Sequence, residues 1–299
     1  MIVVNLDAYG RYASASALAD FLELLALHGH SVKRAQLTDM ITDNNWRIRS
    51  DENFAIPDQE QDFDQPEERV YGLVHERAEI LRNRYPFLVD AADRLLYQAG
   101  QLGQPYLSLL ALTIAHAYGI VGPAQPQHVF EQTVCDVLTS RGWMGVNFGG
   151  LRRDAANFEA AVLACGPPLG LNANADAAPH NTRAQDEGVD TILHIPWCVA
   201  RPGRWTIVGQ ATCAMSHEWK TKIEDPSPHT WAPILGEILE PWVFLAAPHH
   251  AEPRHRHYLL DRSRRLLLDR LSLVPHKPAV SADEQGLLDA VIAENVEVP

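Results

Sequence analysis

Apolar residues recur at helical spacing through the first third of the chain and give way to short, strand-length apolar runs in the second half. Residues 13–40 look helical. Within them 17–27 reads ALADFLELLAL, with His28-Gly29 ending that helix and 32–41 forming a second, shorter one. Thr42-Asp-Asn-Asn45 is a break, and 56–66 is polar and acidic, as expected of a surface loop. Residues 67–85 predict a charged amphipathic helix whose Glu/Arg mixture suits a solvated face, and 106–118 a buried helix. The first 120 or so residues are therefore mostly helical. Gly122-Pro-Ala-Gln-Pro-Gln127 breaks helix and strand alike and marks a boundary between a helical N-terminal domain, 1–122, and a second domain, 128–299.

In the second domain 129–142 predicts a helix with Phe130, Val134, Val137 and Leu138 on one face, stopped by Gly142. A strand over 143–148 and a helix over 154–164 follow, then a stretch over 166–179 rich in Gly, Pro, Asn and Ala that reads as a long loop or a segment over a site. Asp190 opens the apolar run 191–197, Arg201-Pro-Gly203 turns the chain, and 205–212 returns as a second strand. Residues 216–222 look helical, 241–247 form a short strand, and 258–273, with Leu and Arg segregated, reads as a closing helix before one more short helix past 278.

Bulk properties narrow the class. The 46% hydrophobic content is ordinary for a globular protein with a sizeable core. No N-terminal basic–apolar–small pattern predicts a signal peptide, and no apolar run reaches the roughly 18 residues of a membrane helix, so a cytoplasmic protein with no membrane partner is expected. Cys135, Cys165, Cys198 and Cys213 stand singly, which favours buried reduced thiols over a zinc ribbon or redox pair. A net charge of −13 argues against a general nucleic-acid binder. The acids are dense over 51–68, however, whereas 254–277 is rich in Arg and His, so a local basic face or a partner can still bring the chain to DNA. No phosphate loop, dinucleotide fingerprint or nucleophile elbow is present, which removes support for ATPase, dinucleotide and serine-hydrolase chemistry.

The candidate chemistry lies around 188–222. Side chains two apart on a strand share a face, so Gln210 and Thr212 point the same way, and a hairpin brings them beside Asp190. A carboxylate with amide and carbonyl oxygens makes a hard corner suited to Mg²⁺ (or Mn²⁺). Lys220 or Lys222, one turn into the following helix, can offset developing charge or orient a water. A solvated strand end and an exposed-face glutamine fit the same spacing. Glu131 fits both a ligand and an ordinary surface glutamate, with Asp136 as its substitute. Asp186 and Glu187 fit plain loop charges. Arg262, Arg264 and Arg265 suit either a DNA backbone or the outer face of an amphipathic helix. His249, His250, His255 and His257 lack an acidic or Cys partner at ligand spacing and read as a solvated or phosphate-facing rim.

The order of a helix with Glu131, then Gly188-Val-Asp190, a hairpin, Gln210-Ala-Thr212 and a helical lysine resembles the PD-(D/E)XK restriction-endonuclease-like superfamily. The resemblance covers 129–273 and implies an α/β (α+β) protein, a helical N-terminal domain followed by an αβββαβ core. It implies that Asp190 and Glu131 bind the metal and that Gln210 takes the family's Glu/Gln position. The usual lysine, absent at Thr212, would be displaced to Lys222 (or Lys220) on the next helix. Trp219 with Lys222 resembles a Trp-x-x-Lys pattern of restriction-like proteins in bacterial defence loci. The implied function is Mg²⁺-dependent DNA cleavage in anti-phage defence, with Lys220, Arg262, Arg264 and Arg265 on the DNA and a protein partner or a second copy as expected company. The alternative is a catalytically inactive relative that binds DNA or regulates a larger defence complex.

Overall fold

The computed structural model describes residues 3–4, 14–44, 46, 66–177, 188–195 and 204–298, with the side chain of Arg262 outside that description. The expected acidic loop before Pro66, the turn at 201–203, the end of the strand before it, Cys198, Asp186 and Glu187 also lie outside the described residues.

The chain is a mixed α/β protein built on an open five-stranded sheet of order β4-β5-β6-β7-β8. Its strands are β4 (Met144–Asn147), β5 (Thr191–His194), β6 (Thr206–Ala211), β7 (Trp242–Ala246) and β8 (Leu266–Leu268). β4–β5 and β5–β6 pair antiparallel, and β6–β7 and β7–β8 pair parallel. The inner strand β5, Thr-Ile-Leu-His, is buried at all four positions, as a strand covered on both faces must be. One face, with Leu193, Ile207 and Phe244, joins the large helical core. The other, with Ile192, Val208 and Val243, packs on Phe148, Phe158, Trp231 and their neighbours. Gly209 on β6 lets the Phe244 ring lie directly against the strand, where any Cβ would collide with it.

Helix α5 (Pro126–Thr139) precedes β4, with Pro126 at its start, where the missing N–H costs nothing. α6 (Phe148–Asp154) and α7 (Phe158–Leu169) fill the connection from β4 toward β5. α7 starts and ends later than the expected helix over 154–164. Pro167 and Pro168 lie within its last turn, which closes through Gly170 N and Leu171 N onto Pro167 O and Gly166 O. α8 (Ser216–Glu224) and α9 (Pro228–Ile234) form the crossover from β6 to its parallel neighbour β7. The expected closing helix over 258–273 is not formed. The helix α10 (Pro253–His257) runs into a π-helical turn, Tyr258–Arg262, and Arg264 takes a left-handed φ of 54°. Leu266–Leu268 then joins the sheet as its edge strand before the short α11 (Arg270–Leu273). A Leu-rich run beside a sheet edge gains strand hydrogen bonds that an isolated helix turn cannot offer.

The N-terminal helices are α1 (Ala15–Leu27), α2 (Arg34–Asp43), α3 (Pro66–Leu81) and α4 (Gln104–Tyr118). An antiparallel hairpin, β2 (Phe87–Val89) with β3 (Leu95–Tyr97), lies between α3 and α4. The core is continuous across 122–127: Ile120, Val129 and Leu287 belong to one cluster, and the C-terminal helix α12 (Ala282–Ala293) packs on α4. A short parallel pair, β1 (Val3–Val4) with β9 (Asn295–Val296), adds a second tie. Among the described residues, no helix is long and apolar enough to cross a membrane.

A buried ionic network links α1 to α11. Asp20 accepts two hydrogen bonds of 2.8 Å from Arg270, and Arg77 on α3 lies 2.8 Å from Asp20 and 2.7 Å from Glu23. Arg77 therefore does not belong to the solvated face expected of its helix; it is fully buried. His249 and His250 are buried beside this network and His255 is buried against the Trp219 ring, rather than forming a rim; of the four only His257 is exposed, 2.9 Å from Asp261. The reason is packing: His249 Nε2 lies 2.9 Å from Cys213 O, and His250 Nδ1 accepts from Arg77 Nε at 3.3 Å.

Burial pushes the His249 imidazole down to about 4, against the opposing pull of Asp20. Its proton is bound more tightly by the unfolded chain, so stability is full above the unfolded value near 6.5 and falls as pH drops toward 4. Unfolding stability, read from urea denaturation, is expected to decline across that window by on the order of 3 kcal/mol. His249→Gln, whose amide nitrogen can replace Nε2, should flatten the decline; an unchanged pH profile in that variant would exclude His249 as its source.

Candidate active site

The end of the sheet where β4 leaves and β5 enters gathers the acidic residues. β4 passes into α6 at Asn147, whose Oδ1 accepts from Gly150 N at 2.8 Å and whose amide donates to Gln132 on α5 at 3.0 Å. This fixes the corner between α5, β4 and α6. Gly149 N donates to Asp190 O at 3.1 Å, so the start of α6 is hydrogen-bonded to the residue that enters β5.

Gly149 is where the two carboxylates meet. A Cβ there would lie 2.5 Å from Glu131 Oε2 and 3.3 Å from Asp190 Oδ1. Only glycine leaves that space open. Glu131 is 6% and Asp190 8% exposed, so both are largely withdrawn from water. Two carboxylates so placed repel unless positive charge is near. Arg153 on α6 supplies it: Nη1 lies 2.6 Å from Glu131 Oε2.

The strand side is set by the β5–β6 register. Thr191 pairs with Gly209, so Asp190 stands next to Gln210 across the strands. Asp190 N donates to Gly209 O at 2.9 Å, and its Oδ2 accepts from Ala211 N at 2.8 Å. Gln210 Oε1 is buried with no hydrogen-bond partner among the described residues. Thr212 Oγ1 accepts from Ala214 N at 3.1 Å and turns the chain toward α8. Cys213 is close behind: burial, with the Glu131 carboxylate adding to it, holds its thiol far above the usual range. Cys135, Cys165 and Cys213 are all buried free thiols.

The cations expected from the sequence lie elsewhere. Lys222 Nζ is 3.6 Å from Glu218, and this pair acts on His116 at the end of α4, whose pKa is lowered chiefly by burial. Lys220, on another side of α8, holds its Nζ 5.5 Å above the Tyr258 ring. Trp219 between them is buried, its indole donating to Ala214 O at 2.9 Å. Arg265 donates to the Ile223 and Pro226 carbonyls at the end of α8, so its guanidinium caps a helix. Arg264 is exposed in the turn before β8. These residues do not form one basic helix face, because the helix expected there is broken.

Arg153 and Gly149 are the parts of the site that spacing did not reveal. The one available signal was Asn147-Phe-Gly-Gly150, a capping residue and two glycines directly after a strand. Among the described residues no three His, Cys, Asp or Glu side chains come together as a metal site. The donor set is two carboxylates and the Gln210 amide oxygen. Such an all-oxygen set suits Mg²⁺ or Mn²⁺, which Mg²⁺ typically completes with several waters. No family model matches the chain, and neither a curated protein nor a solved structure does.

Proposed function

We propose that the chain is a metal-dependent nuclease cleaving DNA phosphodiester bonds, built as a variant of the PD-(D/E)XK plan. The observation that carries this reading is the meeting of Glu131 and Asp190 at Gly149, with Gln210, whose oxygen has no hydrogen-bond partner among the described residues, across the strands from Asp190. The order α5-β4-β5-β6-α8-β7, with α6 and α7 inserted between β4 and β5 and α9 following α8, and its antiparallel and then parallel pairing, supports it, because the remaining elements follow the αβββαβ order that the resemblance implies. The helices before α5 would then serve recognition or regulation.

In this reading Asp190 and Glu131 hold Mg²⁺ or Mn²⁺, with Gln210 Oε1 as a further oxygen. The metal, when bound, supplies a Lewis acid for the phosphoryl oxygen and lowers the pKa of an attacking water. The chain's part is positional. The Ala211 N–H fixes one Asp190 oxygen and leaves Oδ1 facing Gly149. Lys222, carried on α8, is the residue to orient the water and offset charge on the scissile phosphate, for which it must leave Glu218. Anti-phage defence and a protein partner or dimer belong to the same proposal, and a partner would help an acidic chain reach DNA.

A second reading, a silent relative that binds DNA or regulates a larger complex, is favoured by Thr212 in the lysine position and by Arg153 seated on Glu131. Plasmid cleavage with Mg²⁺ or Mn²⁺ separates the two. Metal-dependent cutting by the wild type, lost in Asp190→Ala and in Lys222→Ala, supports the nuclease. Wild-type protein that binds DNA without cutting supports the silent relative.

A further inference from the structure

We propose that Arg153 is the resting counter-ion of this site, and that a divalent cation must displace its guanidinium from Glu131 in order to bind. The inference rests on the reading of Glu131 and Asp190 as metal ligands.

The geometry gives the reason. Arg153 Nη1 contacts Glu131 Oε2, the oxygen that flanks the Gly149 gap opposite Asp190 Oδ1. A cation held by both carboxylates would draw on Glu131 there, so the guanidinium and the metal would compete for that side chain. The contact is a charge-assisted hydrogen bond of 2.6 Å, short enough to hold Glu131 in place while no metal is present.

Arg153 is also built to leave. Its side chain is 37% exposed, whereas the Glu131 side chain is 9% exposed. The guanidinium therefore approaches from the solvent side and can swing away without opening the core. Arg77 and Arg270, by contrast, are fully buried and enclosed by several partners. α6 itself does not have to move, because the Asn147 cap and the Gly149–Asp190 hydrogen bond hold its first turn. Among the described residues, Arg153 is the one cation paired with Glu131.

The test is calorimetric titration of the full chain with Mn²⁺. Removing a competitor tightens binding, the opposite of what removing a ligand or a structural strut does. R153A and R153Q are expected to bind Mn²⁺ about three- to fivefold more tightly than the wild type, the scale of a partly exposed ion pair. R153K keeps the charge and should stay within about twofold of the wild type. In an E131Q background the R153A effect should vanish, which separates this site from Mn²⁺ held elsewhere on an acidic surface. Equal or weaker Mn²⁺ binding in both R153A and R153Q, or no binding in any variant, overturns the proposal. Cleavage measured alongside keeps the two readings apart. Tighter binding without any DNA cutting leaves the counter-ion standing and removes the nuclease. Cutting with unchanged Mn²⁺ affinity does the reverse.

Discussion

Arg270→Ala is expected to lower unfolding stability by about 3–5 kcal/mol, the range for breaking a buried ion pair from one side. The guanidinium is fully buried and saturated: both Asp20 oxygens at 2.8 Å, Pro248 O at 2.7 Å, Tyr106 Oη at 3.1 Å and Thr113 Oγ1 at 3.2 Å. Removing it leaves Asp20 and Glu23 with Arg77 alone, so one carboxylate becomes an uncompensated buried charge. Burial raises the Asp20 pKa, yet Arg270 and Arg77 outweigh it and hold the carboxyl at about 2. That part of the stability is present above the ordinary carboxylate range and is lost as pH falls through about 2. Arg270→Lys is expected to rescue little, since an ammonium cannot make the paired contacts. Arg94→Ala, at an exposed ion pair, serves as the contrast and should barely move the urea midpoint. A loss below about 1 kcal/mol for Arg270→Ala would mean that the network relaxes or hydrates.

Asp190→Asn is expected to abolish metal-dependent DNA cleavage by more than about a hundredfold while leaving the fold intact. The substitution is isosteric. The asparagine oxygen can still accept from Ala211 N, so the strand entry survives. What disappears is the negative charge beside Glu131, and with it the attraction for a divalent cation. The change in the urea midpoint should correspond to less than about 1 kcal/mol. A soluble, folded Asp190→Asn protein that cuts plasmid like the wild type would remove Asp190 from the mechanism and the nuclease reading with it.

The parts of the molecule that could be read from the sequence are those governed by local pattern. Four strands of the sheet are short apolar runs bounded by polar or turn residues, and α1, α4 and α5 follow helical spacing closed by His28-Gly29, Gly119 and Gly142. Asp190 and Gln210 were legible because a hairpin register determines which residues face each other. Long-range charge pairing was not legible. Arg77 sits in a helix full of surface-like charges, and nothing local marks it as buried. Asp20 and Glu23, three apart in an otherwise apolar helix, were the overlooked hint that buried cations must come from elsewhere. Arg153 was missed for the same reason, its partner lying on another helix. The segregation of Leu and Arg before Leu273 mimics an amphipathic helix, and only the free edge of β7 decides that Leu266–Leu268 pairs as a strand.

The Asp20–Arg270 contact joins positions 250 residues apart. During synthesis at the ribosome, α1 emerges early with two carboxylates whose native partners are Arg77 and, far later in the chain, Arg270. Its final docking must wait until translation has passed Arg270, so the nascent chain carries its first helix unfinished for most of its elongation. Cooperative folding late in synthesis, with α1 exposed to chaperones until then, follows from where one arginine lies along the chain.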